Sequence, residues 1–196
     1  MQDPDAIAAY FQLSDATKRD LNLQTIAFSK TVSPEAVSNR VLTMLIASRG
    51  CFIGNHVDMY EHSLQCATRA MRAGEPEETV VVALLHDIGE AITPNCHGEI
   101  AAAILRPYIT EQNYWILMHH EVFQARYYAE AAGIANIESV IARFSKSPHY
   151  DACVKFCLNY DQNSFDPHYE TEPLETFLPM VLRIFSRKPY DTIVAS

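Results

Sequence analysis

The order of apolar and polar positions along the chain repeats with the period of α-helices in most segments, and strand-like alternation is scarce. Ser33-Pro34-Glu35 has the form of a helix start, with a capping serine, a proline at the first helical position and an acidic first turn. Glycines and prolines separate the segments. We therefore predict an all-α fold, a compact single-domain helical bundle, with helices near 5–13, 33–48, 56–73, 75–90, 97–108, 111–131, 134–144, 150–161 and 174–185.

The segment 75–90 is the most informative of these elements, because it is apolar on every side from Val80 to Leu85. A helix of this kind has to be buried. Its β-branched residues make a strand the rival interpretation, but the acidic start and the length favour a helix.

His86 and Asp87 follow this apolar run directly. An ionised aspartate in a packed core is costly unless it is paired or binds a metal. Transition metals accept such mixed nitrogen and oxygen ligands. The alternative is a helix-end histidine beside a solvated aspartate. His62 and Asp161, in or at the end of other predicted helices, are further candidate ligands.

Composition and charge narrow the classes of partner. The chain has 196 residues and a formal net charge of −9, so we expect one domain and no nucleic acid partner. No apolar run has the length of a membrane span, and the start of the chain lacks the basic and apolar regions of a signal peptide. We expect a cytoplasmic protein with no membrane partner.

His62, His86-Asp87 and Asp161 resemble the H…HD…D signature of the HD superfamily, and residues 84–89, LLHDIG, have the typical form of its motif. The resemblance implies a helical protein with one or two metals. In binuclear members two further histidines bind the second metal, and the HD aspartate bridges. His97 and His120 occupy those places. His119 competes with His120, but adjacent helix positions point about 100° apart, and residues 120–124 resemble the family's sequence.

Within the superfamily, residues 50–165 are similar to the mixed-valent di-iron oxygenases, of the 2-amino-1-hydroxyethylphosphonate oxygenase and myo-inositol oxygenase type. Residues 61–67, EHSLQCA, carry most of this likeness. It implies a dioxygenase, which is an oxidoreductase that uses two iron ions (Fe2+/Fe3+) and O2. The expected substrate is a small hydroxylated compound that is cleaved oxidatively, and phosphonate-like compounds are one candidate class. The metal-binding core of the single domain 1–196 would be about 50–165.

Four expected substrate contacts depart from the oxygenase pattern. Phe52 and Asn55 stand where the family has Tyr and Glu, Glu90 replaces a His, and Gln124 replaces a Lys. These changes predict another substrate than the aminophosphonate, and Glu90 would suit a cationic or hydroxyl-bearing group. The alternative function is a metal-dependent phosphohydrolase with Mn2+, Mg2+ or another divalent metal. A metal-stabilised binding protein is a third.

Overall fold

The computed structural model describes residues 7–189, which form nine α-helices and no β-strand within that range. This confirms the prediction of an all-α fold. The helices are α1 Lys18–Thr31, α2 Pro34–Ala47, α3 Met59–Arg72, α4 Glu77–Leu85, α5 His97–Leu105, α6 Glu111–Gln124, α7 Ile137–Ala142, α8 Tyr150–Phe156 and α9 Leu174–Phe185.

Helix α4 forms the centre of the core. Its residues from Val80 to Leu85 are at most 2% exposed, and it packs against α3, α6 and α9. Burial on all sides follows from its uniformly apolar sequence. This result confirms the helix and excludes the rival strand. None of the helices in residues 7–189 is long and apolar enough to cross a bilayer.

Local capping explains several helix starts. Ser33, Asp58 and Thr110 each accept a hydrogen bond from a backbone N–H in the first turn of the following helix. Such side-chain acceptors satisfy donors that have no partner inside the helix.

The N-terminal region differs from the prediction. A helix was expected at 5–13, of which residues 5 and 6 lie outside the described residues, and the described part contains only a 3-10 turn at Leu13–Asp15. Helix α1 was not predicted. It begins at a capping box in which Thr17 and Asp20 satisfy each other's backbone N–H groups, while its weakly apolar face gives little periodic signal.

Three helices, α4, α6 and α8, end five or more residues earlier than predicted. Helix α4 stops at Leu85, so His86 and Asp87 lie in the turn that follows it, and α6 stops at Gln124 before a 3-10 turn. After α8 the chain widens into a π-helical turn, Cys157–Asp161. Such turns are frequent at functional sites because they redirect one side chain.

Candidate metal centre

Six imidazole and carboxylate side chains converge beside α4. They come from α3, from the turn after α4, from the start of α5, from α6 and from the π-helical turn. All but one are at most 6% exposed in their side chains, and the exception, His97, is 15% exposed. They are His62, His86, Asp87, His97, His120 and Asp161.

Four of these residues form a first cluster. The Nε2 atoms of His62 and His86 lie 3.2 Å apart. Asp87 Oδ2 lies 3.3 Å and 3.1 Å from these two nitrogens. Asp161 Oδ1 lies 3.4 Å from Nε2 of His62 and 3.7 Å from that of His86. The atoms are close enough to share one cation.

A second cluster uses the other oxygen of the same aspartate. Asp87 Oδ1 lies 3.1 Å from His97 Nε2 and 3.2 Å from His120 Nε2. These two nitrogens are themselves 3.2 Å apart. Asp87 therefore directs one carboxylate oxygen to each cluster, which is the arrangement of a bridging ligand.

The four histidines share one hydrogen-bond pattern, and this pattern tests whether the clusters fit metals. Each Nδ1 faces a backbone carbonyl oxygen at 2.8–3.0 Å, supplied by Ser164, Ala83, Pro94 and Leu117 in turn. An Nδ1–H that donates to a carbonyl leaves the Nε2 lone pair of a neutral imidazole free. Four such lone pairs and three carboxylate oxygens therefore face one another.

Converging lone pairs repel one another unless a cation or protons lie between them. The buried Asp161 Oδ2 also accepts no hydrogen bond from the described residues, so this carboxylate carries negative charge that a nearby cation would stabilise. Backbone acceptors that orient metal-binding imidazoles are a common feature of metal sites. The residues thus fit a pair of cations of the kind that accepts nitrogen and oxygen ligands.

Without a metal, the clusters hold protons on imidazole. Burial lowers the pKa of His62, but the hydrogen-bonded carboxylates of Asp161 and Asp87 outweigh it and raise the pKa to about 8. Burial likewise lowers the pKa of His97, and Asp87 raises it to about 9. Burial raises the pKa of Asp87, while the neighbouring His86 charge and hydrogen bonds from the histidines hold it well below its usual range. In the metal-free protein, protons on these imidazoles balance the carboxylate charge that a bound metal would otherwise balance.

Close packing around two glycines brings the start of α5 against the turn that holds His86 and Asp87. A Cβ atom on Gly89 would lie 2.7 Å from the His97 carbonyl oxygen. A Cβ atom on Gly98 would lie 2.6 Å from the Leu117 carbonyl oxygen. Any side chain at either position would push the start of α5 away, so these glycines permit His97 and His120 to meet.

The chain after Asp161 covers the first cluster. The Ser164 carbonyl accepts from His62, and the Phe165 ring stacks on the His62 imidazole with centroids 4.4 Å apart. Gln65, on α3, donates to the Asp166 carbonyl at 2.7 Å. The segment is therefore fastened to α3 and excludes water from that side of the site.

A cavity of about 550 Å³ opens beside the two clusters, and the shared Asp87 and His97 are the convergent residues that line it. Three of the four expected substrate contacts, Asn55, Glu90 and Gln124, line it. Phe52 does not. It is 62% exposed and lines a shallow groove with Arg49 and His56, while Ile53 lines the cavity.

Two of these residues also touch the clusters. Gln124 Nε2 donates to Asp161 Oδ1 at 2.7 Å. Glu90 Oε2 lies 2.7 Å from His97 Nδ1. Burial raises the pKa of Glu90, His97 opposes this, and the charges of Asp87 and Glu121 add to the rise.

Other residues that line the cavity were not predicted as substrate contacts, among them Glu121, Tyr127 and Tyr128. Glu121 follows His120 directly and accepts a hydrogen bond from the Gly98 N–H at 3.0 Å. The end of α6 at Gln124, about two turns earlier than predicted, brings the two tyrosines to the cavity. Only the position of Glu121 beside a candidate ligand could have signalled its role.

His119 lies apart from the clusters. Its ring stacks on Trp115 with centroids 4.1 Å apart, and its Nδ1 faces the Trp115 carbonyl at 2.8 Å. His120 is the residue whose Nε2 reaches Asp87, and it is 1% exposed.

Comparison with known proteins agrees with this geometry. The HD domain family matches residues 59–147, a span that holds five of the six convergent residues, with Asp161 beyond it. A segment of 38 residues is 58% identical to a (1-hydroxy-2-(trimethylamino)ethyl)phosphonate dioxygenase (glycine-betaine-forming) of Leisingera caerulea. That similarity spans 19% of this chain and 19% of the relative. Residues 59–147 of this chain are thus similar to the HD domain family.

Proposed function

We propose that this protein is an HD-type di-iron oxygenase that uses O2 to cleave a small hydroxylated substrate, related to the hydroxyalkylphosphonates. The observation that carries the proposal is the shared aspartate. Asp87 gives one oxygen to each of two clusters, 3.1–3.3 Å from four imidazole nitrogens. Asp87 would hold an ion with each of its oxygens, and a carboxylate shared in this way would suit a pair of irons that exchange an electron. The resemblance to a named dioxygenase supports the same chemistry.

The six convergent residues would hold the metals. Asp161, His62 and His86 would bind one ion, His97 and His120 the other, and Asp87 both. A di-iron pair supplies redox chemistry with O2 and a binding point for a hydroxyl group. Mn2+, Mg2+ or another divalent metal is the alternative occupant, and it would accompany phosphohydrolysis.

The chain's own contribution is to position the substrate and exclude water. The stacked Phe165 ring closes one side of the centre. Gln124 donates to the Asp161 oxygen that faces the first cluster, and so it fixes that carboxylate beside the cavity. Asn55 and Glu90 offer polar atoms to a bound hydroxylated compound at the cavity wall.

The composition of the cavity wall bears on the choice between oxygenase and hydrolase. None of the described residues that line it is a lysine or an arginine. Arg126, the basic residue closest in sequence to the wall, is paired with Glu138 at 2.7 Å. Phosphohydrolases of nucleotides generally surround their phosphates with such cations, so an oxygenase is the better match. A phosphonate would find positive charge at the metal pair.

Oxygen uptake by the iron-loaded protein tests the proposal. We expect substrate-dependent O2 consumption with a member of a panel of hydroxylated phosphonates, including the trimethylamino compound named for the relative, polyols and amino alcohols. Turnover of 2-amino-1-hydroxyethylphosphonate should be poor, because Asn55, Glu90 and Gln124 replace the family's contacts.

A matched pair of variants makes the test specific. Asp87→Asn should abolish O2 uptake, because an amide cannot give a second anionic oxygen. Asp151→Asn, on the exposed face of α8, should leave uptake unchanged. Iron-independent release of phosphate from nucleotides, without O2 uptake on any member of the panel, would contradict the proposal and favour the hydrolase.

A further inference from the structure

The chain that follows the π-helical turn lies along one face of α3. We call residues 164–172 the strap. Its far end is fastened to α3, because the Glu172 N–H donates to Thr68 Oγ1 at 3.1 Å. Before that end, the Arg69 guanidinium lies over the Tyr169 ring, 3.9 Å from its centroid. These side chains of α3 occupy neighbouring turns of one helix face, so the strap follows the helix.

Gln65 is the buried contact between α3 and the strap. Its side chain is on a residue that is 0% exposed. Its Nε2 donates to the Asp166 carbonyl at 2.7 Å, and its Oε1 accepts from the Asp166 N–H at 3.3 Å. One amide thus pairs with both backbone groups of one residue. An apolar side chain at position 65 would leave both groups without their partner on α3, and the strap would lose this anchor.

The strap contacts a candidate metal ligand just before this anchor. The Ser164 carbonyl accepts from His62 Nδ1 at 3.0 Å, and the Phe165 ring stacks on the imidazole with centroids 4.4 Å apart. The hydrogen bond keeps the hydrogen on Nδ1, so the Nε2 lone pair points to the first cluster. The stacked ring fixes the plane of the imidazole.

The strap also joins two candidate ligands that lie on different elements. His62 is on α3, whereas Asp161 is on the π-helical turn. Ser164 is bonded to that turn, since its Oγ donates to the Tyr160 carbonyl at 2.5 Å and its N–H to the Asp161 carbonyl at 3.0 Å. Gln65 supplies the bond to α3. The two anchors together set the position of one ligand relative to the other.

We propose that Gln65 is a positioning residue of the first metal site, which holds the strap so that Ser164 orients His62. The inference rests on the metal centre of the proposed function, but not on its oxygen chemistry. It predicts that loss of the Gln65 amide weakens the first site alone. The second site should keep its affinity, because its two histidines come from α5 and α6.

The affinity of each site for Co2+ in Gln65→Met tests the proposal. Methionine has nearly the length of glutamine but no amide. In a competition with a chelator, we expect one Co2+ to bind about 10–100-fold more weakly than in the unsubstituted protein, and the other to bind unchanged. Gln65→Asn keeps an amide that is one methylene too short to reach Asp166. It should show the same loss, and it replaces Gln65→Met if that variant does not fold.

Proton magnetic resonance of the Co2+-loaded protein identifies the site that has changed. Each of the four ligand histidines directs Nδ1 to a backbone carbonyl, so each should give one exchangeable proton signal that the paramagnetic ion shifts strongly. In Gln65→Met the signal of His62 should be lost through exchange with water, and the other three should remain. A general loss of stability would not select one signal of the four.

Thr68→Val is the matched control. Thr68 is buried on the same helix, and its hydroxyl holds the far end of the strap, away from His62. This variant should keep both affinities and all four proton signals. Unchanged affinities and four signals in Gln65→Met, or an equal loss at the first site in Thr68→Val, would overturn the positioning role.

These results are distinct from failure of the proposed function. Two Co2+ sites that respond to Gln65→Met as expected, in a protein whose iron form takes up no O2 with any substrate of the panel, would contradict only the oxygenase. O2 uptake by the unsubstituted protein, with a first site that does not respond to Gln65→Met, would contradict only the role of Gln65.

Discussion

Binding of metal to the metal-free protein should release protons, and the structure sets their number. With pKa values of about 8 for His62 and about 9 for His97, both imidazoles are at least about nine-tenths protonated at pH 7. A metal binds only the neutral imidazole. Loading both sites at pH 7 should therefore release about two protons from this pair. Burial lowers the pKa of His86, but Asp87 and Asp161 outweigh it and raise that pKa as well. His86 should therefore add to the protons released.

The same pKa values set the sign of the pH dependence. A histidine whose pKa is raised by folding stabilises the metal-free protein below the unfolded value of 6.5, and this contribution is lost as the pH rises through 8 and 9. The metal-free protein should thus lose stability between pH 7 and 9. The metal affinity of each site should rise over the same interval, by about tenfold per pH unit near pH 7 for each proton that the site releases.

Calorimetric titrations in buffers of different ionisation enthalpy measure the protons released. We expect about two or more at pH 7 and fewer at about pH 10. His119→Ala should leave the count unchanged, because that ring stacks on Trp115 away from the clusters. Release of less than one proton at pH 7, or an affinity that does not change between pH 6 and 8, would refute the reasoning.

Three further substitutions, two of them with a matched control, test other parts of the structure. His120→Ala should halve the metal content and His119→Ala should not, as measured by elemental analysis, and the reverse order would show that the wrong histidine was chosen. Glu78→Ala removes a buried carboxylate that accepts three hydrogen bonds at 2.6–2.7 Å and should lower the free energy of unfolding by about 3–5 kcal/mol. Glu77→Ala, which breaks an exposed ion pair, should cost less than about 1 kcal/mol, and equal losses would contradict this difference. Tyr160→Phe removes a hydroxyl bonded to a glutamate beside the π-helical turn. It should weaken metal binding in a chelator competition, whereas unchanged affinity would mean that the turn holds its shape without this bond.

The centre of the fold was predictable because its residues carry a strong signal. The run from Val80 to Leu85 has no polar face, so it could only be a buried element, and its acidic start indicated a helix. The HD pair that follows it, and the order of the other histidines and of Asp161, indicated which side chains meet.

The surroundings of the site were less predictable because they depend on where helices end and how the chain turns. Thr17 and Asp20 start a helix with little apolar face, and only their capping box marks it. Phe52 and Ile53 are adjacent, and nothing in their sequence determines which of them faces the cavity. Tyr127 and Tyr128 reach the cavity because α6 ends at Gln124, a boundary that periodicity could not locate.

Electron paramagnetic resonance of the iron-loaded protein, partly reduced and without O2, tests the central claim most directly. If Asp87 bridges two irons, the sample contains a spin-coupled mixed-valent pair whose signal changes on addition of a productive substrate and disappears in Asp87→Asn. A protein that binds two redox-silent metals in preference to iron, or whose irons show no coupling, would contradict the account.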